Sequence, residues 1–362
     1  MRVQVLRIVA GCGAMISVMA AVGVARADAI SDFYGKNDLR MIIGVAVGGS
    51  YDSSGRLVAR HIGRHVPGSP RVLIQNMPGA SSRVAANHIY TLAPKDGTII
   101  GAVSEGIAMA QALGEKGIRY DAGKFNWIGT PVLPISVMAV WHTAGVKTLE
   151  EAKNKEIIVG ATSVSGTNYI FPALIKELLG AKFRIVVGYD GGNAINLAME
   201  RGEVVGRGSN AWASWKSTKA DWLRDKKVNI LVQIGLEKAP DLPDVPLLMD
   251  LAANDEDRAV LRLLSAPTAV GRPIFSTPNV PMDRVTALRR AFDATMTDAG
   301  FLAEAEKAQL DLNPVAGEKL QQIVEDIVAA PKPVARKLAA ALVIRDVVRD
   351  LQLENPQPPS AN

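Results

Sequence analysis

Cysteine is almost absent from this chain: Cys12 is the single one among 362 residues. A lone thiol excludes an internal disulfide framework and a cysteine-built metal site. Histidine is scarce too, with His61, His65, His88 and His142 the full set. His61 and His65 share an i, i+4 spacing, but no Glu follows His61, so the zinc-protease pattern fails. No G-x-S-x-G nucleophile elbow appears, and no carboxylates pair in a way that assigns acid and base roles. Catalytic and metal-ligating residues are therefore expected to be none, and no cofactor is expected. Long apolar runs are missing beyond the first 27 residues, so no later segment reaches membrane-spanning length.

What is present begins with a leader. Arg2 and Arg7 form a basic start, Ile8 to Val24 an apolar stretch, and Ala25-Arg26-Ala27 an A-x-A cleavage site before Asp28. Residues 1–27 therefore read as a secretory signal peptide, cleaved after Ala27, which places the mature chain in the periplasm. Val9-Ala10-Gly11-Cys12 imitates a lipoprotein box, but the apolar stretch follows Cys12 when it should precede it. Cleavage removes Cys12 together with Arg2, Arg7 and Arg26 and no acid, so the formal charge falls from +5 to +2. Lys and Arg are scattered among acids, and nucleic acid is not an expected partner. The remaining 335 residues (362 minus 27) suit about two domains. The tail NPQPPSAN is proline-rich and polar, and 356–362 are expected to be disordered.

Strands and helices alternate through the first two thirds. Apolar residues 39–45 predict a strand, and Leu57, Val58, Ile62 and Val66 a helix over 53–66. A strand over 71–75, a helix over 83–92 and a strand over 98–103 complete a βαβαβ series, which implies a parallel sheet with helices on its faces. The stretch Trp127 to Val140, broken by Pro131 and Pro134, reads as a crossing between domains. A second unit then offers strands at 156–160 and 183–187, helices at 168–179 and 193–201, and a closing segment at 202–208. The strand at 229–234 is expected to return the chain to the first domain, and a mainly helical remainder follows.

The turns after these strands carry the chemistry. Gly48-Gly49-Ser50-Tyr51-Asp52 delivers the chain into a helix start, where free amides and the positive dipole end favour an anion. No Lys-Ser/Thr closes this turn and it lacks G-x-G-x-x-G spacing, so it suits a carboxylate better than a nucleotide. Thr162-Ser163-Val164-Ser165-Gly166-Thr167 places four hydroxyl residues in six before another helix, more than one cap needs. Tyr189-Asp190-Gly191-Gly192-Asn193 repeats the pattern, and Ser104-Glu105 closes the third strand at the same edge. Glu105 reads equally as a solvated strand-end charge or as a contact for a ligand's donor group. His61, His65 and Arg56, Arg60 and Arg64 read as a solvated basic face. Trp212, Trp215 and Trp222 read as core, with a pocket wall as the alternative.

Six segments together resemble the Bug-type periplasmic receptors of tripartite tricarboxylate transporters, over nearly all of the mature chain. They are Ile43 to Arg60 (IGVAVGGSYDSSGRLVAR), Gln75 to Ala80, Ala93 to Thr98, Gly188 to Gly192, Ala239 to Pro246 and Val280 to Val285. The resemblance implies an α/β, type II-like Venus-flytrap fold with mostly parallel sheets flanked by helices and a ligand cleft between domains. It further implies capture of a small organic acid by domain closure, delivery to permease subunits of the membrane transporter, and a monomeric, non-enzymatic receptor. A sensor-kinase partner is the alternative destination, and a periplasmic enzyme the least favoured reading. Domain 1 is expected at 28–137 and 236–355, and domain 2 at 138–235. In such receptors the carboxylate is held largely by loop amides, hydroxyls and water, often without a dedicated arginine. Carried over by position, the ligand-binding residues are Gly48, Gly49, Ser50, Asp52 and Ser104, then Ser163, Ser165, Gly166, Thr167, Tyr189, Gly191 and Gly192. The chain departs from the family's pattern at Val47, where proline is common, at Ser50, Ser81 and Ser82, where glycine is common, and at Asp190, where lysine is common.

Overall fold

The alternation of apolar runs with amphipathic segments builds two sheets. The computed structural model describes residues 29–341 apart from 49, 162–166 and 190–191; the expected leader at 1–27 and tail at 356–362 lie outside them. The chain starts with β1 (Leu39–Ile43), α1 (Ser50–Ile62), β2 (Val72–Asn76), α2 (Arg83–Thr91), β3 (Ile99–Ala102), α3 (Ile107–Ala112) and β4 (Asn126–Thr130). Then come β5 (Ser136–Trp141), β6 (Ile157–Gly160), α4 (Thr167–Leu179), β7 (Phe183–Val186), α5 (Gly192–Glu200) and β8 (Gly206–Ala211). They are followed by α6 (Trp212–Thr218), α7 (Ala220–Arg224), β9 (Val228–Ile234) and α8 (Asp255–Val270). The last elements are β10 (Ile274–Ser276), α9 (Met282–Met296), α10 (Ala299–Lys307), β11 (Val315–Ala316) and α11 (Gly317–Val328).

One sheet has the order β11-β4-β10-β3-β1-β2 and the other β7-β6-β8-β5-β9. In the first, β1 pairs in parallel with β2 and β3, while β10 and β11 run against the other strands. In the second, β6 pairs in parallel with β7 and β8, and β5 alone runs the other way. The sheets are thus mixed, with one strand direction dominant in each. The proline-broken stretch at 127–140 becomes β4 of one sheet and β5 of the other, as a crossing should. The strand at 228–234 does not return to the first sheet. It is the edge strand β9 beside β5, and the three-residue β10 makes the return.

The described residues group into two compact units: 29–107 with 117–132 and 272–322, and 108–116 with 133–271 and 323–341. Residues 236–271, expected with the first domain, group with the second. Gln233 on β9 supplies one reason. Its fully buried amide donates to the Leu242 and Val245 carbonyls at 2.8 Å each and accepts from the Ala239 amide at 2.7 Å. That ties the segment after β9 to its own sheet.

In the first unit, Leu39, Met41 and Ile43 of β1 pack with Leu57, Val58 and Ile62 of α1, and with Leu288, Phe292 and Phe301. Each such side chain contributes about 1.5–3 kcal/mol of burial. The expected solvated basic face divides: Arg60 and Arg64 are exposed, Arg56 and His65 half-buried, and His61 buried, with counter-charges supplied by Asp298 and by Glu304 of α10. His61 is buried and bonds Glu304 at 2.6 Å, while Arg60 also pairs with Glu304. Arg64 and His65 reach Asp298, whose other task is to cap α10 through the Phe301 amide. In the second unit Trp215 and Trp222 are fully buried, with Trp222 edge-on to Trp141 at 4.6 Å, so the core reading of these tryptophans holds.

The loop after β2 is strained. Gly79, Ala80, Ser81 and Ser82 all take positive φ, at 136°, 46°, 52° and 71°. Left-handed backbone is natural for glycine and costs about 1–2 kcal/mol for other residues. Ser81 and Ser82 therefore occupy glycine-type conformations. Ser82 is fixed by its hydroxyl, which donates to the Gly44 carbonyl and accepts from the Ser104 amide, both at 3.0 Å. Ser81 is exposed. Ser81→Gly is expected to raise stability by about 0.5–1 kcal/mol, the relief of strain less the added freedom of the unfolded chain. Urea unfolding measures it, and an unchanged or lower midpoint would contradict the strain.

Candidate functional site

Three loops leave the C-terminal ends of the parallel strands β1, β2 and β3, the edge where open α/β sheets bind ligands. The loop after β1 reaches α1 through Gly48, whose φ of +93° needs glycine. Its amide donates 2.9 Å to Asp52 Oδ2. Arg56 Nε donates to both Asp52 oxygens at 2.9 Å, and Asn76 Nδ2 donates to Oδ1 at 2.8 Å. Asn76, the last residue of β2, also donates to the Val45 carbonyl at 2.9 Å and accepts from Arg56 Nη2 at 2.6 Å. One buried carboxylate thus ties the turn, the helix and the neighbouring strand together. Burial works to raise the Asp52 pKa, but the hydrogen bonds from Arg56, Asn76 and Gly48 and the Arg56 charge bring it down to about 2.

The expected first-unit residues fall as follows. Gly48 forms the turn, Ser50 opens α1, and Asp52 is spent on the internal network. Ser104 follows β3, half-buried, with its hydroxyl accepting from the Gly106 amide at 3.4 Å. Gly49 lies outside the described residues. The Glu105 carboxyl beside Ser104 is not the solvated strand end that was one reading. Its Oε2 is buried without a hydrogen-bond partner, and burial pushes its pKa up to about 7 against its own amide and the Arg272 charge. Arg272, which precedes β10, likewise has a buried, unpartnered Nη1, and its guanidinium lies 5.9 Å from the Tyr51 ring centroid.

On the second unit, Thr167 opens α4, exposed, and Gly192 opens α5. Tyr189 is half-buried and its ring covers Gly160 at the end of β6. Burial raises its phenol pKa, and the Glu203 charge adds to the effect. Ser163, Ser165, Gly166 and Gly191, with Asp190, lie outside the described residues. Sequence reasoning missed Arg207, which stands on β8 in register with Gly160. Its guanidinium donates weakly from Nη1 to the Gly192 carbonyl at 3.4 Å and to Asn196 Oδ1 at 3.3 Å. The available signal was a charge between two glycines, Gly206-Arg207-Gly208, in a segment without apolar alternation. Arg272, after Gly271, carried no comparable signal. Among the described residues, no group of three or more His, Cys, Asp and Glu could hold a metal, and no helix is long and apolar enough to cross a membrane.

The fold matches known structures. A TctC solute-binding protein from Polaromonas superposes with a TM-score of 0.64 at 17% identity, over 84% of this chain and 100% of its own. R. palustris Rpa4515, solved with adipate, gives 0.54 at 19% identity over 84% and 98%. MatC from Rhodopseudomonas palustris, solved with malate, gives 0.52 at 18% over 83% and 99%. The fold is that of the periplasmic solute-binding proteins. In sequence, the chain is similar to a UPF0065 protein of Cupriavidus necator, 22% identical over 340 residues, 89% of this chain and 94% of the relative. No family model matches. The Bug-type resemblance read from the loop motifs is met in fold, since the periplasmic binding protein BugD superposes with a TM-score of 0.53 at 18% identity over 84% of this chain and 98% of its own.

In this binding-protein fold the two buried carboxylates give opposite acid responses. Asp52 titrates lower in the folded chain than in the unfolded one, so its contribution, about 2 kcal/mol, is complete above pH 4 and is lost as pH falls toward 2. Asp52→Asn is expected to lower stability at pH 7 and to flatten that acid limb in urea melts at stepped pH. Glu105 titrates higher when folded, so the wild type loses stability as pH rises from about 4.5 through about 7. Glu105→Gln should remove that decline across the same melts. A wild-type stability that rises through this window would contradict the buried, unpartnered carboxyl.

Proposed function

We propose that this protein is a periplasmic receptor, not an enzyme, which captures a small organic acid by domain closure and delivers it to a tripartite tricarboxylate-type permease. The observation that supports it most is the loop edge of the first unit. The internal bonds of Gly48 to Asp52 and of Ser82 to Gly44 and Ser104 hold this edge in shape, and the Ser104 hydroxyl and the start of α1 stand at the strand ends of a fold whose structural neighbours were solved with adipate and with malate. In this reading Gly48, Gly49, Ser50 and Ser104 hold one side of the acid, and Asp52 serves by holding the turn. Ser163, Ser165, Gly166, Thr167, Tyr189, Gly191 and Gly192 supply the other side. Export through the leader at 1–27 belongs to the same proposal.

A bound acid stabilises only the folded state, by about 2.7 kcal/mol at 100 times its Kd. Thermal unfolding against a panel of mono-, di- and tricarboxylates should therefore single out one class by a raised midpoint. Mass spectrometry of the protein purified without dialysis should release an acid of that class. A flat panel together with no released acid would sink the proposal.

A further inference from the structure

The second unit holds a pocket of about 440 Å³ bordered by Gly192, Asn193, Asn196, Arg207, Ser214 and Thr218. Beside Gly192 and Ala194 its border carries two amides, two hydroxyls and one guanidinium. Arg207 is the charge in it, and among the described residues no acid compensates that charge. Its Nε is buried with no hydrogen-bond partner, and Nη1 has only the two long contacts to neutral acceptors. Among the described residues no carboxylate pairs with it, and burial alone lowers its pKa to about 10. A guanidinium is costly to bury unless an anion meets it, because its hydration is lost without replacement. Its five donors in a planar fork match an oxyanion, which can take two of them at once.

Glycine at 192 makes room for this arrangement. A Cβ there would run into Nη1, Nη2 and Cζ of Arg207, so any side chain would displace the guanidinium. The register with Gly160 sets Arg207 at the C-terminal end of β6, the ligand edge of this sheet. Resting on the receptor reading above, we propose that Arg207 is the charge-recognition residue of the second unit, holding a carboxylate of the captured acid through Nε and Nη2. This departs from the recognition that the resemblance implies, which is often without a dedicated arginine. It makes the receptor selective for anionic ligands over their neutral amides and esters.

The test is calorimetry of the full mature chain with succinate, malate, adipate, citrate and benzoate, and with the matching amides or methyl esters. Wild type should bind at least one acid and not its neutral counterpart. Arg207→Gln should weaken that acid by at least about thirtyfold, the scale for removing one partner of a buried charge pair. Arg207→Lys should recover part of the loss as a point charge without the fork. Gly192→Ala, which suits a helix start and keeps the cation, should also weaken binding by displacing the guanidinium, and it carries the test if Arg207→Gln does not fold. An acid bound equally by wild type and the folded variants would overturn this inference and leave the receptor reading standing. Equal binding of acid and neutral counterpart would overturn it likewise. A wild type that binds none of the acids would overturn both.

Discussion

The buried Asp52 carboxylate is the constraint on which the first unit's loop edge depends. A charge out of water must be met by donors, and here the donors come from three different elements: the Gly48 amide, Arg56 of α1 and Asn76 of β2. Meeting that requirement sets the turn's shape, the entry angle of α1 and the distance from β1's loop to the end of β2. Asn76 extends the link to the Val45 carbonyl. The carboxylate is an architectural part: it holds the turn, the helix and the neighbouring strand in one arrangement.

The Ser82 hydroxyl plays the same part between β1 and β3, joining Gly44 to Ser104. It does so from a left-handed backbone that serine adopts only under compulsion. Strain of that kind persists where surrounding bonds over-determine the conformation, and such places concentrate at ligand edges. Against these satisfied groups stand Glu105, Arg272 and Arg207, each with a buried polar atom lacking a partner. A folded chain tolerates few such atoms, and finding them at the strand-end edges of both sheets gives the binding reading its electrostatic content.

Much of the fold was legible because apolar periodicity is local. Strands β1, β2, β3, β6 and β7 and the helices α1, α2, α4 and α5 fall within a few residues of their expected places. Strand β8 was not legible as a strand, since Gly206-Arg207-Gly208-Ser209-Asn210-Ala211 has no apolar alternation; neighbours on both sides, β6 and β5, make it one. The sheet that β9 joins was misread for a similar reason: strand pairing is a tertiary choice. The burial of His61 within the basic face was not legible either, because its partner Glu304 lies more than two hundred residues later.

By itself the sequence determined the leader-like start, the α/β alternation, the glycine- and serine-rich strand ends and the scarcity of cysteine. These are properties of residue type and spacing, readable within a window of a dozen residues. Only the tertiary structure decided that Asp52 is a tether, that the Glu105 carboxyl is buried, and that Arg207 borders a pocket with no acid beside it among the described residues. Those roles depend on which groups lie within hydrogen-bond reach and on how much water is excluded, and both come from elements far apart in the chain.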